Sequence, residues 1–254
     1  MQGGSDSDGA ILAATKLRYI SDFEPEDIFI AGYPKSGNTW LQCLLGGVIF
    51  GIDVRLTPDS LVQTLVPDTH YQQFYKRFVT PTFFKTHSLP EPKYRRVIYL
   101  ARDGRDVMVS YFHFLTALGN APDFLKLVTT GEGLFPCQWH EHVEAWMANP
   151  YEAQMIVIRY EALNKDPVTA LQTICDFADL KRERSLLERV AQSSTFAMMS
   201  ERERKLGWEN TGWPKDKAFM RRGIVGSYED EMPDTVLRAF MASSLPAINL
   251  LGYS

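Results

Sequence analysis

Residues 33–40 read YPKSGNTW, between the apolar run DIFIAG (27–32) and a second one, LQCLLGGVIF (41–50). A short buried run, a turn holding Pro and Gly, and a longer apolar run predict a strand over 27–32 and a helix over 39–50. A turn from a parallel strand into the next helix lies at the carboxyl edge of the sheet, where ligands bind in open α/β folds. The helix start presents unpaired N–H groups and partial positive charge, which suit a phosphate. Gly37 lets the backbone approach closely, Ser36 and Thr39 bring hydroxyls, and Lys35 brings a mobile full charge. The order departs from the Walker A pattern, because Asn38 follows Gly37 where that pattern needs lysine. On these residues alone, a structural turn and a phosphate-holding loop are both open.

Working outward, PTFFKTH (81–87), RRVIYLA (95–101) and MIVIRY (155–160) predict three more short buried strands. A helical pattern over 103–118 follows the second of them. After the third, Asp166-Pro167 opens another helix with Ala170, Ile174 and Phe177 at helical spacing. Strands alternating with helices imply right-handed crossovers, hence an α/β fold with a central parallel sheet flanked by helices. No repeat, low-complexity tract or linker divides the chain, so one domain is expected over 23–254 after a flexible segment at 1–22. Residues 207–228, rich in Gly, Trp and charge, are expected to form a long ordered loop or flap.

The 254 residues, 45% of them hydrophobic, can fill the core of one large α/β domain. No apolar run reaches the ~18 residues of a membrane span, and MQGGSDSDGA lacks the features of a signal peptide, so a soluble cytoplasmic protein is expected. Cys43, Cys137 and Cys175 are odd in number and far apart, which suggests neither a disulfide framework nor a thiolate zinc site. The net charge of -4 argues against a general nucleic-acid binder, yet basic residues crowd 76–105 and 202–222, compatible with a local anion site. His140, Glu141 and His142 alternate around a helix and point to different faces, so they are not read as a metal site.

The order P-K-S-G-x-T-W after a strand resembles the sulfotransferases that use 3′-phosphoadenosine 5′-phosphosulfate (PAPS), especially the cytosolic type. The resemblance implies a P-loop-like loop in which Lys35, Ser36, Gly37, Asn38 and Thr39 line the 5′ side of the donor and Trp40 lies against its adenine. Lys85 and His87 in FFKTHSLP match the family's catalytic pair, His87 as general base, with Lys35 and Lys85 steadying charge on the leaving group. By the same match Arg102 and Ser110 would bind the 3′-phosphate, whereas Arg105 is open to pairing with Asp103 or Asp106 in a solvated first turn. Tyr160 and Phe196 would flank the adenine, and Ser194 would hydrogen-bond it. FMRRGIVGSYED (219–230) resembles the late signature F-x-R-K-G-x-x-G-D-W, placing Arg221, Arg222 and Gly223 on the 3′-phosphate, with Ser227-Tyr228 replacing Asp-Trp.

The implied activity is transfer of a sulfuryl group to a hydroxyl or amine of a small acceptor. PAPS would be the donor, adenosine 3′,5′-bisphosphate (PAP) the product, and no metal is needed in this family. The acceptor and the oligomeric state are not legible, and the tail after Tyr228 is read as short and lacks the K-x-x-x-T-V-x-x-x-E dimer motif. Tyr71, Phe74, Tyr75, Phe78, Phe112 and Phe114 are candidates for an acceptor pocket or for core. Two other readings remain: a non-catalytic module that binds the bisphosphate, and a P-loop kinase.

Overall fold

In the computed structural model, which describes residues 12, 14–209 and 212–253, six strands form two sheets. They are β1 Leu17–Tyr19, β2 Ile28–Ala31, β3 Phe74–Lys76, β4 Phe83–Thr86, β5 Arg96–Ala101 and β6 Gln154–Arg159. β1 and β3 pair antiparallel; the central sheet has order β4-β2-β5-β6 with every pair parallel. Of the flexible segment expected at 1–22, residues 1–11 and 13 lie outside the described residues, and Leu17–Tyr19 is already β1.

Alternation along each strand assigns its side chains to two cores. On one face Phe29, Ala31, Val97 and Tyr99 pack with Val107 and Met108 of the helix Gly104–Ala117, Val143 and Trp146 of Trp139–Ala148, and Phe240 and Ile248 of Asp234–Leu250. On the other, Ile28, Ile30, Ile98 and Leu100 pack with Leu41 and Leu44 of Asn38–Phe50, Ile174 of Pro167–Phe177, and Leu187 of Arg184–Ser193. Burying one such aliphatic side chain is worth about 1.5–3 kcal/mol. The sheet is therefore a rigid base for whatever stands on its carboxyl edge.

Three features differ from the expectations. The strand at 154–159 is not buried throughout: Val157 stays 40% exposed. The tail is no short appendage: the helix Asp234–Leu250, with Pro246 inside it, buries Val236, Phe240, Ser244, Ala247 and Ile248. Arg105 does pair with Asp103, at 2.7 Å, but in a buried setting rather than a solvated turn. Residues 207–227 carry no helix or strand among those described, and Tyr228 opens the short helix Tyr228–Glu231. Among the described residues no helix is long and apolar enough to cross a membrane.

Candidate functional site

The loop leaving β2 is shaped by two left-handed backbone conformations. Lys35 has φ 71° and Gly37 φ 98°. A Cβ on Gly37 would also stand 2.6 Å from the Tyr160 ring, so glycine is required twice over. The Ser36 N–H donates to the Tyr33 carbonyl at 3.1 Å, and the Asn38 side-chain amide braces that same oxygen at 2.9 Å. Asn38 thus spends its donor on the loop itself. Gly37 begins the helix Asn38–Phe50 with no side-chain cap, the arrangement that suits an anion.

The Lys35 ammonium lies between two rings, 4.4 Å from the centroid of Phe114 and 4.5 Å from that of Phe219. Such contacts hold a cation by about 0.5–2 kcal/mol each. Burial, and then Arg102, Lys85 and Arg221, push its pKa down to about 7.

β4 carries the next pair. Lys85 is 5% exposed and its Nζ sits 2.7 Å from Oδ2 of the fully buried Asp68, which a parallel bridge sets beside it. Burial alone would raise the Asp68 carboxyl, but Lys85 and His87 hold it below the usual range. His87 has Nδ1 at 2.7 Å from the Gly32 carbonyl. A carbonyl only accepts, so Nδ1 carries the proton and Nε2 keeps the lone pair. Burial and the Lys85 charge hold the imidazole neutral, far below the ordinary histidine range.

Arg102, just past β5, ties the other walls together. Its Nη1 donates to the Lys35 carbonyl at 3.1 Å and its Nη2 to the Ile224 carbonyl at 3.2 Å, while the guanidinium lies 4.4 Å over the Tyr160 ring. Asp106, fully buried, accepts from the Gly226 N–H at 2.8 Å, the Ser227 hydroxyl at 3.2 Å and the Tyr228 N–H at 3.0 Å. Ser227-Tyr228 therefore anchors the flap through the Asp106 carboxylate. Tyr228 adds its ring beneath Arg105 at 4.2 Å. Arg221 and Arg222 both pair with Glu231, which also meets His113 Nε2 at 2.8 Å.

On the adenine side of the expected site, the Trp40 indole donates to the Ser194 carbonyl at 2.6 Å and packs 5.7 Å from Tyr160. Phe196 lies against Gly223, where φ is 63° and a Cβ would meet the ring at 2.3 Å.

The structure gathers Lys35, Gly37, Asn38, Thr39, Trp40, Lys85, His87, Arg102, Ser110, Tyr160, Phe196, Arg221, Arg222 and Gly223 around one cleft of about 780 Å³. Ser36 and Ser194 are buried and do not line it. Of the aromatic candidates, Tyr71 and Phe114 line the cleft, whereas Tyr75 is core, Phe74 packs on Tyr19, Phe78 on Phe50 and Phe112 on Phe124. His142 is fully buried beside Tyr99 and separated from His140, and among the described residues no cluster is placed to hold a metal. Sequence reasoning passed over Asp68, His70, Phe219 and Glu231. The H of PDTHYQQF (67–74) was a signal, but nothing local tied it to β4.

The residues fit a nucleotide with two phosphate ends. Arg102, which lines the cleft at the end of β5, has a buried Nε without a hydrogen-bond partner among the described residues. Leaving such a group unmet costs about 1–3 kcal/mol, which a ligand can recover. The sulfotransferase domain family matches residues 25–245. The chain is similar to mouse sulfotransferase 1B1, 28% identical over 253 residues that cover 88% of this chain and 83% of the relative. It is also similar in fold to a retinol dehydratase crystallised with androsterone and the inactive cofactor PAP (TM-score 0.69, 21% identity, covering 91% of this chain and 82% of the other). A mouse sulfotransferase complexed with PAP matches with a TM-score of 0.65 at 23% identity, over 92% of this chain and 90% of the other.

Proposed function

The chain belongs to the sulfotransferase family, and from that premise we propose that residues 23–254 form the domain that moves a sulfuryl group from PAPS to a hydroxyl or amine of a small acceptor. His87 Nε2 takes the acceptor's proton. Bound in the cleft, the donor supplies the sulfuryl group and leaves as PAP. Lys35 steadies the charge that grows on the leaving oxygen, and Lys85 sets the field at the base from within its pair with Asp68. The loop 35–39 holds the 5′ end, with Trp40, Tyr160, Ser194 and Phe196 around the adenine. Arg102, Ser110, Arg221, Arg222 and Gly223 hold the 3′-phosphate. A cytoplasmic setting belongs to the same reading, supported by three free cysteines.

One observation carries the reading: Nδ1 of His87 is committed to the Gly32 carbonyl while the same residue lines the cleft that holds Lys35 and Arg102. Turnover with radiolabelled donor and a panel of phenols, alcohols and amines tests it. His87→Ala is expected to lower kcat by about 10² to 10⁴ while the Kd for PAP stays close to wild type. Full turnover in that variant would remove His87 as the base. The alternative, a module that binds the bisphosphate without turnover, draws support from the commitment of Lys85 to Asp68. Bound PAP with no transfer to any acceptor would favour it.

A further inference from the structure

We propose that His70 is a positioning residue for His87, an inference that rests on the role of His87 as base. The ladder between β2 and β4 ends at the pair Ala31–Thr86, so the sheet does not hold the next residue, His87. Two other contacts do. Its side-chain Nδ1 reaches the Gly32 carbonyl, and its backbone N–H donates to Nε2 of His70 at 3.0 Å. The two imidazoles also stack, with centroids 5.8 Å apart and planes 15° apart.

His70 can serve as a support because it is itself held, although it is exposed to the cleft. Its backbone N–H donates to Oδ1 of Asp68 at 2.9 Å, and the edge of its ring meets Phe135 with centroids 5.2 Å apart. Asp68 receives Lys85 through its other oxygen. The carboxylate therefore fixes, in one unit, the lysine beside the base and the histidine beneath it. Because Nε2 of His70 accepts, His70 must be neutral with its proton on Nδ1. Burial, the dominant influence, and Lys85 favour that neutral form, while Asp68 and Glu91 oppose it.

The consequence is geometric. Without the acceptor at His70 Nε2, the peptide of His87 is free to rotate, and its Nδ1 loses alignment with Gly32. The lone pair at Nε2 then no longer points steadily into the cleft. His70→Phe keeps a ring to stack but removes the acceptor; His70→Gln removes the ring but can return an acceptor oxygen at the same reach.

The test measures both variants in two ways. In turnover, His70→Phe is expected to lower kcat by about tenfold to 100-fold, with the Kd for PAP unchanged, and His70→Gln to recover most of the loss. In long-range proton–nitrogen spectra, which need no turnover, His87 is expected to show a single Nδ1–H tautomer in the wild type and His70→Gln, and mixed tautomers in His70→Phe. Wild-type kcat in His70→Phe overturns the proposal, as does an equal loss in both variants. If the wild type itself transfers no sulfuryl group, the catalytic reading fails separately and the spectra decide: mixed tautomers in His70→Phe support positioning, and an unchanged tautomer overturns it.

Discussion

In the loop at 33–40, Lys35 and Gly37 have positive φ, the helix start has no side-chain cap and Ser36 Oγ has no partner among the described residues, whereas in the flap at 219–231 charges and amides are met by acids of the chain itself. Glu231 takes Arg221 and Arg222, and Asp106 takes the Gly226 and Tyr228 amides. The loop is set before any anion arrives. The flap arginines are held by an internal carboxylate, so in the proposed reading a phosphate there would have to replace it. Magnitudes favour the replacement: exposed arginine–carboxylate pairs are worth about 0–1 kcal/mol, against about 1.5–3 kcal/mol for a hydrogen bond to a charged phosphate. In the proposed reading, two ways of building an anion site meet in one cleft, one prepared and one exchangeable.

Arg102 is the joint between them, and removing it gives the largest expected effect. Arg102→Ala loses donors to both the Lys35 and Ile224 carbonyls, and PAP affinity is expected to fall about 100-fold, the worth of one or two charged hydrogen bonds. A loss under about threefold, read by calorimetry, would mean that loop and flap are not coupled through this side chain.

Glu231→Gln sharpens the comparison from the flap side. It keeps the shape but weakens the hold on Arg221 and Arg222, and PAP affinity is expected to rise about three- to tenfold, the scale of a surface ion pair. Adenosine 5′-monophosphate, which has no 3′-phosphate, is expected to gain nothing. Equal gains for both ligands, or a loss, would show that Glu231 organises the flap rather than competing with the phosphate.

The smallest expected signal comes from the loop. With its pKa pushed down to about 7, chiefly by burial, Lys35 is about half charged at pH 7. A bound anion raises that pKa, so binding takes up roughly half a proton at pH 7, less at pH 6 and more at pH 8. Titrations in buffers of different ionisation enthalpy read this directly. No uptake at any of these pH values would mean that Lys35 does not face the anion.

How much of this was legible in the sequence differs by segment. β2, β4 and β5 are runs buried on both faces, which need only a local pattern, and YPKSGNTW declares its turn through Pro34 and Gly37. β6 misled because a partly covered strand and a buried one share one vocabulary, and whether Val157 is covered is decided by tertiary packing. The final helix was missed although Val236, Phe240, Ser244 and Ala247 recur at helical spacing, since Pro246 and a run of serines interrupt the apolar signal. Asp68 and His70 were hidden for a deeper reason: their meaning comes from a parallel bridge to Lys85 and a bond to the His87 backbone, and both are tertiary. The family resemblance brought the binding residues into one list. It could not say that Arg221, Arg222 and Lys85 already have acidic partners.

In the proposed reading one cleft holds both phosphate ends of an adenosine bisphosphate. Calorimetric titration of the wild type with adenosine 3′,5′-bisphosphate, with adenosine 5′-monophosphate as comparator, tests it most directly. The bisphosphate is expected to bind about 100-fold tighter or more, since the second phosphate engages Arg102 and the flap arginines. Equal affinity for the two nucleotides would contradict the account, leaving YPKSGNTW as a phosphate loop without the second site.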